Sequence, residues 1–265
     1  MNPSLRPRHY GAVNWIGLYT LYAKEVRRFL TVGTQTVLAP LVTSLLFLAI
    51  FVLALGHAVD RVGGVLYIQF LVPGLVMMAM TQNAFANTSS SLLIAKVQGN
   101  IVDLLMPPLS PLEMTLGLAL GGLTRGLIVG LVTLLAMLFF APLSLAHPTY
   151  ALFHAIAASL LLAEIGILAG IWSEKFDHMA AITNFVITPL AFLSGTFYST
   201  DRLPDFWRGV AHLNPFFYMI DGFRYGFIGH ADGALGTGIL LMLGANAVLL
   251  GFIHRCFKRG TKLKA

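Results

Sequence analysis

Hydrophobic residues fall along this chain in long blocks, with the charged residues pushed to the edges of those blocks. Between Arg28 and Asp60 there are 31 residues without Asp, Glu, Lys or Arg, between Arg61 and Lys96 there are 34, and between Arg125 and Glu164 there are 38. About 20 apolar helical residues cross a hydrocarbon core about 30 Å thick, so each block holds at least one crossing. The longest block, broken between Pro142 and Pro148, serves two. The pattern predicts six spans: Thr34 to Leu55, Ile68 to Ser89, Leu118 to Phe140, Tyr150 to Ile171, Ala180 to Tyr198 and Ala234 to His254. Repeated segments of alternating polarity, as a membrane barrel requires, are absent. The expected class is an all-α polytopic membrane protein.

Four regions depart from plain spans. From Trp15 to Leu30, the apolar positions Trp15, Leu18, Tyr19, Tyr22, Val26, Phe29 and Leu30 recur at three and four, which predicts an amphipathic helix along a leaflet with Lys24, Arg27 and Arg28 toward water. It is either a topological anchor or also a surface for a cytoplasmic partner. Between spans 2 and 3, Ile94, Val97, Ile101 and Leu105 predict a short helix that Pro107, Pro108 and Pro111 stop. That helix is equally a plain loop element or one that transmits a push. From Phe197 to Phe227 the chain concentrates aromatics together with Asp201, Arg202, Asp205, Arg208, Asp221 and Arg224, too many ions for a crossing. Short helices in the outer interface are expected there, the second capped by Asn214 and begun by Pro215, with Asp221 and Arg224 facing one another. An aromatic belt and a gate or lipid-contacting lip both fit.

The fourth region is inside the spans, where Arg125 and Glu164 are the only Asp, Glu, Lys or Arg residues. Arg125 lies 17 residues before Pro142 and Glu164 lies 16 after Pro148, so a tight hairpin brings them to nearly equal depth. A neutralised pair tying spans 3 and 4 is the first expectation, because an unpaired charge in hydrocarbon is costly. A polar spot on a substrate path or a proton relay are the alternatives. Gly117, Gly121, Gly122, Gly126 and Gly130 give span 3 small-xxx-small pairs for close packing. Pro40, Pro73 and Pro189 fall inside spans 1, 2 and 5, where they can bend helices.

Composition agrees with this class: 57% of residues are hydrophobic and 11% charged, against roughly 25% charged in soluble domains. Charge then orients the chain. Of 17 basic residues, 12 flank the spans on the side of the termini, among them Arg6, Arg8, Lys24, Lys175, Arg255 and Lys264. The other side has Arg61, Arg202, Arg208 and Arg224. This asymmetry predicts both termini in the cytoplasm, makes the net charge of +6 a topology signal, and leaves a nucleic-acid partner unsupported. The start lacks an apolar run directly behind its arginines, so the first residues are expected to be retained. The lone Cys256 cannot form an intrachain disulfide. No G-x-x-x-x-G-K-[ST], H-E-x-x-H or G-x-S-G pattern is present, and the eight histidines are scattered. A helical bundle without its own energy source suggests a subunit. A self-sufficient secondary transporter driven by an ion gradient is the alternative, although coupling-ion groups near midplane are sparse.

The stretches AKEVRRFL (Ala23 to Leu30), FLVPGLVMM (Phe70 to Met78), NAFANTSSS (Asn83 to Ser91), Lys96 to Pro108, and HLNPFFYMIDGFRYGFIG (His212 to Gly229) resemble the permease subunits of ABC-2 type transporters. The likeness extends from Trp15 to Gly251 and is greatest to the exporter branch that includes nodulation lipo-oligosaccharide permeases and an enterobacterial inner-membrane permease. It implies three parts: residues 1–33 as cytoplasmic N-terminus and connecting helix, 34–254 as a six-span domain, and 255–265 as a basic cytoplasmic tail. It also implies a coupling helix around Lys96 to Leu105 and a pair of re-entrant external helices before the last span. Lys24, Glu25, Arg27, Lys96, Gln98, Asn100 and Asp103 become the residues expected to contact a separate ATPase. Asn214, Pro215, Tyr218, Asp221, Arg224 and Tyr225 become those of the outer gate helices. The implied partners are two ABC ATPase subunits, a second copy of the permease and the lipid bilayer, in a bacterial inner membrane. ATP and Mg belong to the ATPase, and this chain carries no cofactor or catalytic residue. Only 35 residues separate spans 5 and 6, so an external soluble domain is not expected. A lipid-linked or amphipathic substrate fits walls with so few ions.

Overall fold

The computed structural model describes residues 11–56 and 59–262; Arg6, Arg8 and Lys264, counted in the basic asymmetry, lie outside the described residues. Asn14 opens helix α1 (Trp15–Thr31), its side-chain oxygen accepting the Gly17 amide at 2.9 Å, as short polar N-cap residues do. Leu21, Glu25 and Phe29, spaced by four, form its buried face and lie against α5 (Pro111–Met137). Trp15, Ile16, Tyr19 and Leu30 remain exposed. At Val32 the chain turns into α2 (Gly33–Leu55), and the Thr36 hydroxyl bridges the break by donating toward the Phe29 and Val32 carbonyls. Leu38, Val42, Leu46, Ile50 and Leu53 recur at three or four along α2 and are exposed, the stripe of a helix that faces lipid.

Strands β1 (Arg61–Val62) and β2 (Val65–Leu66) form a minimal antiparallel hairpin whose turn requires positive φ at Gly63 (58°) and Gly64 (82°). It leads into α3 (Tyr67–Val97), the axis of the molecule, which packs against α2, α5, α6 (Pro148–Trp172) and α10 (Pro215–Ile228). Among the long apolar helices α3 is the least apolar and the most buried. Several of its hydroxyls are satisfied within protein: Thr81 and Ser90 donate to the carbonyls one turn back, and Thr88 donates across to Ala163 of α6 at 2.7 Å. Glycines let α5 and α6 approach it. A Cβ at Gly126 would stand 2.9 Å from the Met80 carbonyl oxygen, and one at Gly166 would stand 2.5 Å from that of Phe85.

Two expected boundaries move. Helix α3 runs through Val97, so Ile94, Lys96 and Val97 belong to it rather than to the short cytoplasmic helix, which is α4 (Ile101–Leu105) after a turn at Gly99. Helix α5 begins at Pro111, because Ser110 and Glu113 exchange the two bonds of a capping box around it.

The expected fifth span, Ala180 to Tyr198, is not one continuous helix. The chain there is a three-part run: α7 (Phe176–Ile182), a π segment (Thr183–Ile187) and α8 (Thr188–Phe192). Pro189 lacks the N–H that the Phe185 carbonyl would receive, and the turn before it widens so that the Thr188 amide reaches Thr183. Helices α9 (Asp205–Leu213) and α10 follow as a hairpin, and α11 (Leu235–Arg259) closes the chain. Among the described residues five helices, α2, α3, α5, α6 and α11, are long and apolar enough to cross a membrane. The protein is therefore an all-α polytopic membrane protein, apart from the two-residue strands.

The bundle has two distinct ends. At one, Leu21, Ile101, Leu104, Ile171, Ile253 and Phe257 join α1, α4, α6 and α11 in one apolar cluster. At the other, the His147 amide donates to Gly226 at 2.8 Å and Arg202 donates to the Arg61 carbonyl at 3.1 Å, tying the starts of α6 and β1 to the hairpin region.

Candidate coupling surface and buried polar core

At the α1–α4 end, Asn14 does more than cap α1. Its amide donates to Glu113 Oε1 at 2.7 Å and its Nδ2 to the Pro108 carbonyl at 3.1 Å, while Glu113 Oε2 accepts the Ser110 amide at 2.7 Å. One buried carboxylate thus ties the starts of α1 and α5 to the proline-rich segment after α4. Between α1 and α4 lies a groove of about 240 Å³ lined by Ile16, Thr20, Lys24, Asp103, Pro107 and Leu109, with Lys24 on one wall and Asp103 on the other. Gln98, Asn100 and Asp103 are exposed beside Val97, Val102 and Met106, and Lys24 and Arg27 are exposed on α1. A surface that mixes exposed apolar and charged groups in this way suits contact with another protein.

Two residues expected on that surface are inside instead. Lys96 is buried, and its ammonium donates to the carbonyls of Gly170 (3.3 Å), Ile171 (2.7 Å) and Ser173 (2.7 Å). It closes the C-terminal end of α6, where carbonyls lack helical partners and the dipole favours a cation. Glu25 is fully buried, because the four-residue spacing from Leu21 to Phe29 carries it onto the packed face of α1 beneath Gly121. Its Oε1 accepts from Ser91 at 2.7 Å and its Oε2 from Arg28 at 3.2 Å. Arg28, expected toward water, turns inward and also donates to the Asn87 carbonyl, Asn87 Oδ1 and Ser90 Oγ.

The expected Arg125–Glu164 pair does not form. Arg125 Nη2 donates to Asn83 Oδ1 at 3.0 Å, whereas both carboxyl oxygens of Glu164 are buried without a partner among the described residues. Helix lengths explain the failure. Arg125 precedes the end of α5 at Met137 by 12 residues, and Glu164 follows the start of α6 at Pro148 by 16, about one turn deeper. The glycine contacts show the same offset, with Gly122 against Ala163 and Gly126 against Ser159.

At the far end, Asn214 and Pro215 start α10 as expected: Asn214 Oδ1 accepts the Phe216 amide at 3.0 Å and its Nδ2 donates to Leu190 at 2.7 Å. Asp221 and Arg224 do not form an ion pair. Asp221 receives the amides of Asp232 (2.8 Å) and Gly233 (3.0 Å), which folds the loop back onto α10. Arg224 is buried, lies 3.7 Å from the Phe70 ring centroid, and donates to the carbonyls of Phe70, Gly195 and Thr196. Each found backbone partners in the tertiary structure that a three-residue spacing cannot reveal. Tyr225 stacks on His147 at 4.5 Å, and Tyr218 packs on Gly238 of α11. Phe216, Phe217, Phe223 and Phe227 are core residues rather than belt residues; the exposed rings are Phe206 and Trp207 on α9.

Sequence reasoning passed over Asn83, Asn87 and Ser91, although their four-residue spacing marks one helix face. It also passed over Ser110–Glu113, whose S-x-x-E pattern announces a helix start.

This is a bundle of long apolar helices whose first helix shares one groove with the proline-stopped α4. The chain belongs to the ABC-2 type transporter family, which it matches over residues 17–228. It is a membrane permease and not an enzyme. It is similar to the inner membrane transport permease YadH of Escherichia coli K12, 40% identical over 230 residues that cover 86% of this chain and 90% of that protein. It is also similar to nodulation protein J of Rhizobium leguminosarum bv. trifolii, 28% identical over 224 residues and 83% of each chain, and to nodulation protein J of Neorhizobium galegae, 26% identical over 243 residues and 88% of each chain.

Proposed function

We propose that this chain is the permease subunit of an ATP-driven exporter in the bacterial inner membrane. Two copies form the substrate path and couple to two separate ATPase subunits that hold ATP and Mg. The interrupted 176–192 run is the fifth of six crossings, both termini are cytoplasmic, and the α9–α10 hairpin re-enters the membrane from outside. In this reading α1 is the connecting helix and α4 the coupling helix. The observation that carries it is the groove between α1 and α4, with Lys24 and Asp103 on opposite walls and Gln98 and Asn100 beside it. The family membership and the similarity to an inner membrane transport permease support the same reading. An amphipathic or lipid-linked substrate fits the apolar walls.

Force delivered to α4 has a short route inward. Ile101 and Leu104 pack in the cluster with Leu21 of α1 and Ile171 of α6, and Asn14–Glu113 couples the same segment to α5. From α1 the Glu25–Arg28 pair reaches Asn87, Ser90 and Ser91 on the central helix. Closure of an ATPase dimer against α4 thus displaces α1, α5 and α3 together.

Co-expression with a cognate ABC ATPase tests the proposal. The expected product is a two-plus-two complex with ATPase activity, and the chain alone neither binds nor hydrolyses ATP. Asp103→Lys should weaken the complex or uncouple hydrolysis from transport while insertion and yield stay normal, since Asp103 is exposed. If the chain alone, in proteoliposomes, moves substrate down an imposed proton or sodium gradient, the secondary-transporter reading replaces this one.

A further inference from the structure

Where the α9–α10 hairpin joins the rest of the bundle, three carboxylates gather and the arginines beside them are spent on carbonyls. Asp201 lies in a short 3-10 turn (Thr200–Arg202) just before α9, and Asp232 lies in the loop after α10, where its amide donates to the third carboxylate, Asp221. Arg202 donates to the Arg61 carbonyl, and Arg208 donates to the carbonyls of Asp201 at 2.6 Å and Thr200 at 3.4 Å. Arg224 is turned toward the Phe70, Gly195 and Thr196 carbonyls. Among the described residues, neither Asp201 nor Asp232 has a lysine or arginine within salt-bridge distance.

Asp232 is the buried member. Its side chain is 1% exposed, and its Oδ2 accepts from Ser199 Oγ and the Thr200 amide, each at 2.8 Å, and from Thr200 Oγ1 at 3.3 Å. Three donors on one oxygen fix the carboxylate and aim Oδ1 at His230 Nε2, 3.1 Å away. The His230 ring is held in turn, packed so closely on Gly63 of the β1–β2 turn that a Cβ there would overlap it. One ligand atom from each of Asp201, His230 and Asp232 lies within 4.8 Å of the others. Around a tetrahedral zinc with bonds near 2.1 Å, ligand atoms stand about 3.4 Å apart. His230 and Asp232 already meet that spacing, and the exposed Asp201 side chain has only to swing inward. An imidazole with two carboxylates is a donor set for zinc and its neighbours, whereas magnesium and calcium take oxygen ligands. The Ser199 and Thr200 bonds are the kind that orient a ligating carboxylate.

We propose that Asp201, His230 and Asp232 bind a divalent transition-metal ion of the zinc type, with water in the fourth position, and that the ion staples the two ends of the α9–α10 hairpin to one another beside the β1–β2 turn. The site is separate from the α1–α4 groove. Metal binding is measured on this chain without ATP or an ATPase, so it stands or falls apart from the export reading.

The full chain, freed of any purification tag and stripped with a chelator, is titrated in nanodiscs with zinc by calorimetry. The expected result is one saturable zinc per chain that millimolar magnesium or calcium does not displace. Asp201→Ala and His230→Ala should each lose that affinity, and Ser199→Ala, which removes one bond to Asp232, should weaken it by about tenfold. His254→Ala, on α11 and away from the cluster, should leave it unchanged. Zinc should also slow amide hydrogen exchange in α9 and not in α11, because only the hairpin is stapled. Absence of saturable zinc binding overturns the site, and so does binding that Asp201→Ala leaves at wild-type affinity, which would reduce His230–Asp232 to a loop hydrogen bond. Binding without slower exchange in α9 overturns the staple. Should His230→Ala fail to fold, Asp201→Ala decides, since Asp201 is exposed.

Discussion

Both carboxyl oxygens of Glu164 are buried with no partner among the described residues, in a stretch of α6 whose neighbours Leu160, Ile167 and Leu168 belong to the apolar cluster around Ile253. Removing a carboxyl that nothing satisfies leaves no group stranded, so Glu164→Leu should be neutral or raise stability by up to about 2 kcal/mol, read as melting temperature in detergent. In a double-mutant cycle Arg125 and Glu164 should couple by less than about 0.5 kcal/mol; a coupling of a kcal/mol or more would contradict the separation of the two side chains. Lys96 is the opposite case. Lys96→Met strands the carbonyls of Gly170, Ile171 and Ser173 at the end of α6 and should cost roughly 2 kcal/mol or more, seen as lower folded yield. The types and rarity of these residues were legible in the sequence, and their partners were not. A carboxylate and a cation in one membrane look like a pair until helix lengths set their depths.

Among the elements, α3, α5 and α6 pack through glycines, whereas Gly236, Gly244 and Gly251 of α11 have open space around them. Gly126→Val should therefore push α5 away from the Met80 carbonyl and lower the melting temperature or abolish folded protein, while Gly244→Val, where a Cβ meets nothing within 4 Å, should be tolerated in the isolated chain. Equal damage from both substitutions would mean that the glycines act through helix propensity rather than packing. The small-xxx-small spacing announced this role for α5. The NAFANTSSS stretch of α3 was legible as polar within an apolar block, and its meaning came from burial: Asn83, Asn87, Thr88 and Ser91 are buried and bond α1, α5 and α6.

For the whole molecule, cysteine labelling in cells tests the topology. Cysteines at Asp60, His147 and Asp205 should react with an impermeant reagent from outside, and those at Gln98, Lys175 and Lys262 only after permeabilisation. Lys96, buried against α6, is unsuitable as a labelling site. Finding Lys175 and Asp205 on one side would mean that the 176–192 run does not cross. That run holds 17 helical residues, about 25 Å at the α-helical rise, so it needs either local thinning of the bilayer or the hairpin beside it to complete the passage.

The sequence by itself determined the solvent, the class and most element positions, because crossing a bilayer demands a length and an apolarity that show residue by residue. It also marked which residues break that rule: Arg125, Glu164, the proline-stopped segment after Asn100, and the charged aromatic stretch before α11. The tertiary structure alone decided what those residues touch. Asp221 and Arg224 share a helix and serve different backbone segments, Glu25 turns inward because its neighbours Leu21 and Phe29 do, and Lys96 caps a helix that begins 52 residues later in the chain. A buried polar group takes its partner from whatever packing brings within about 3 Å, and that proximity is set by helix ends, register and face, which local sequence spacing does not carry.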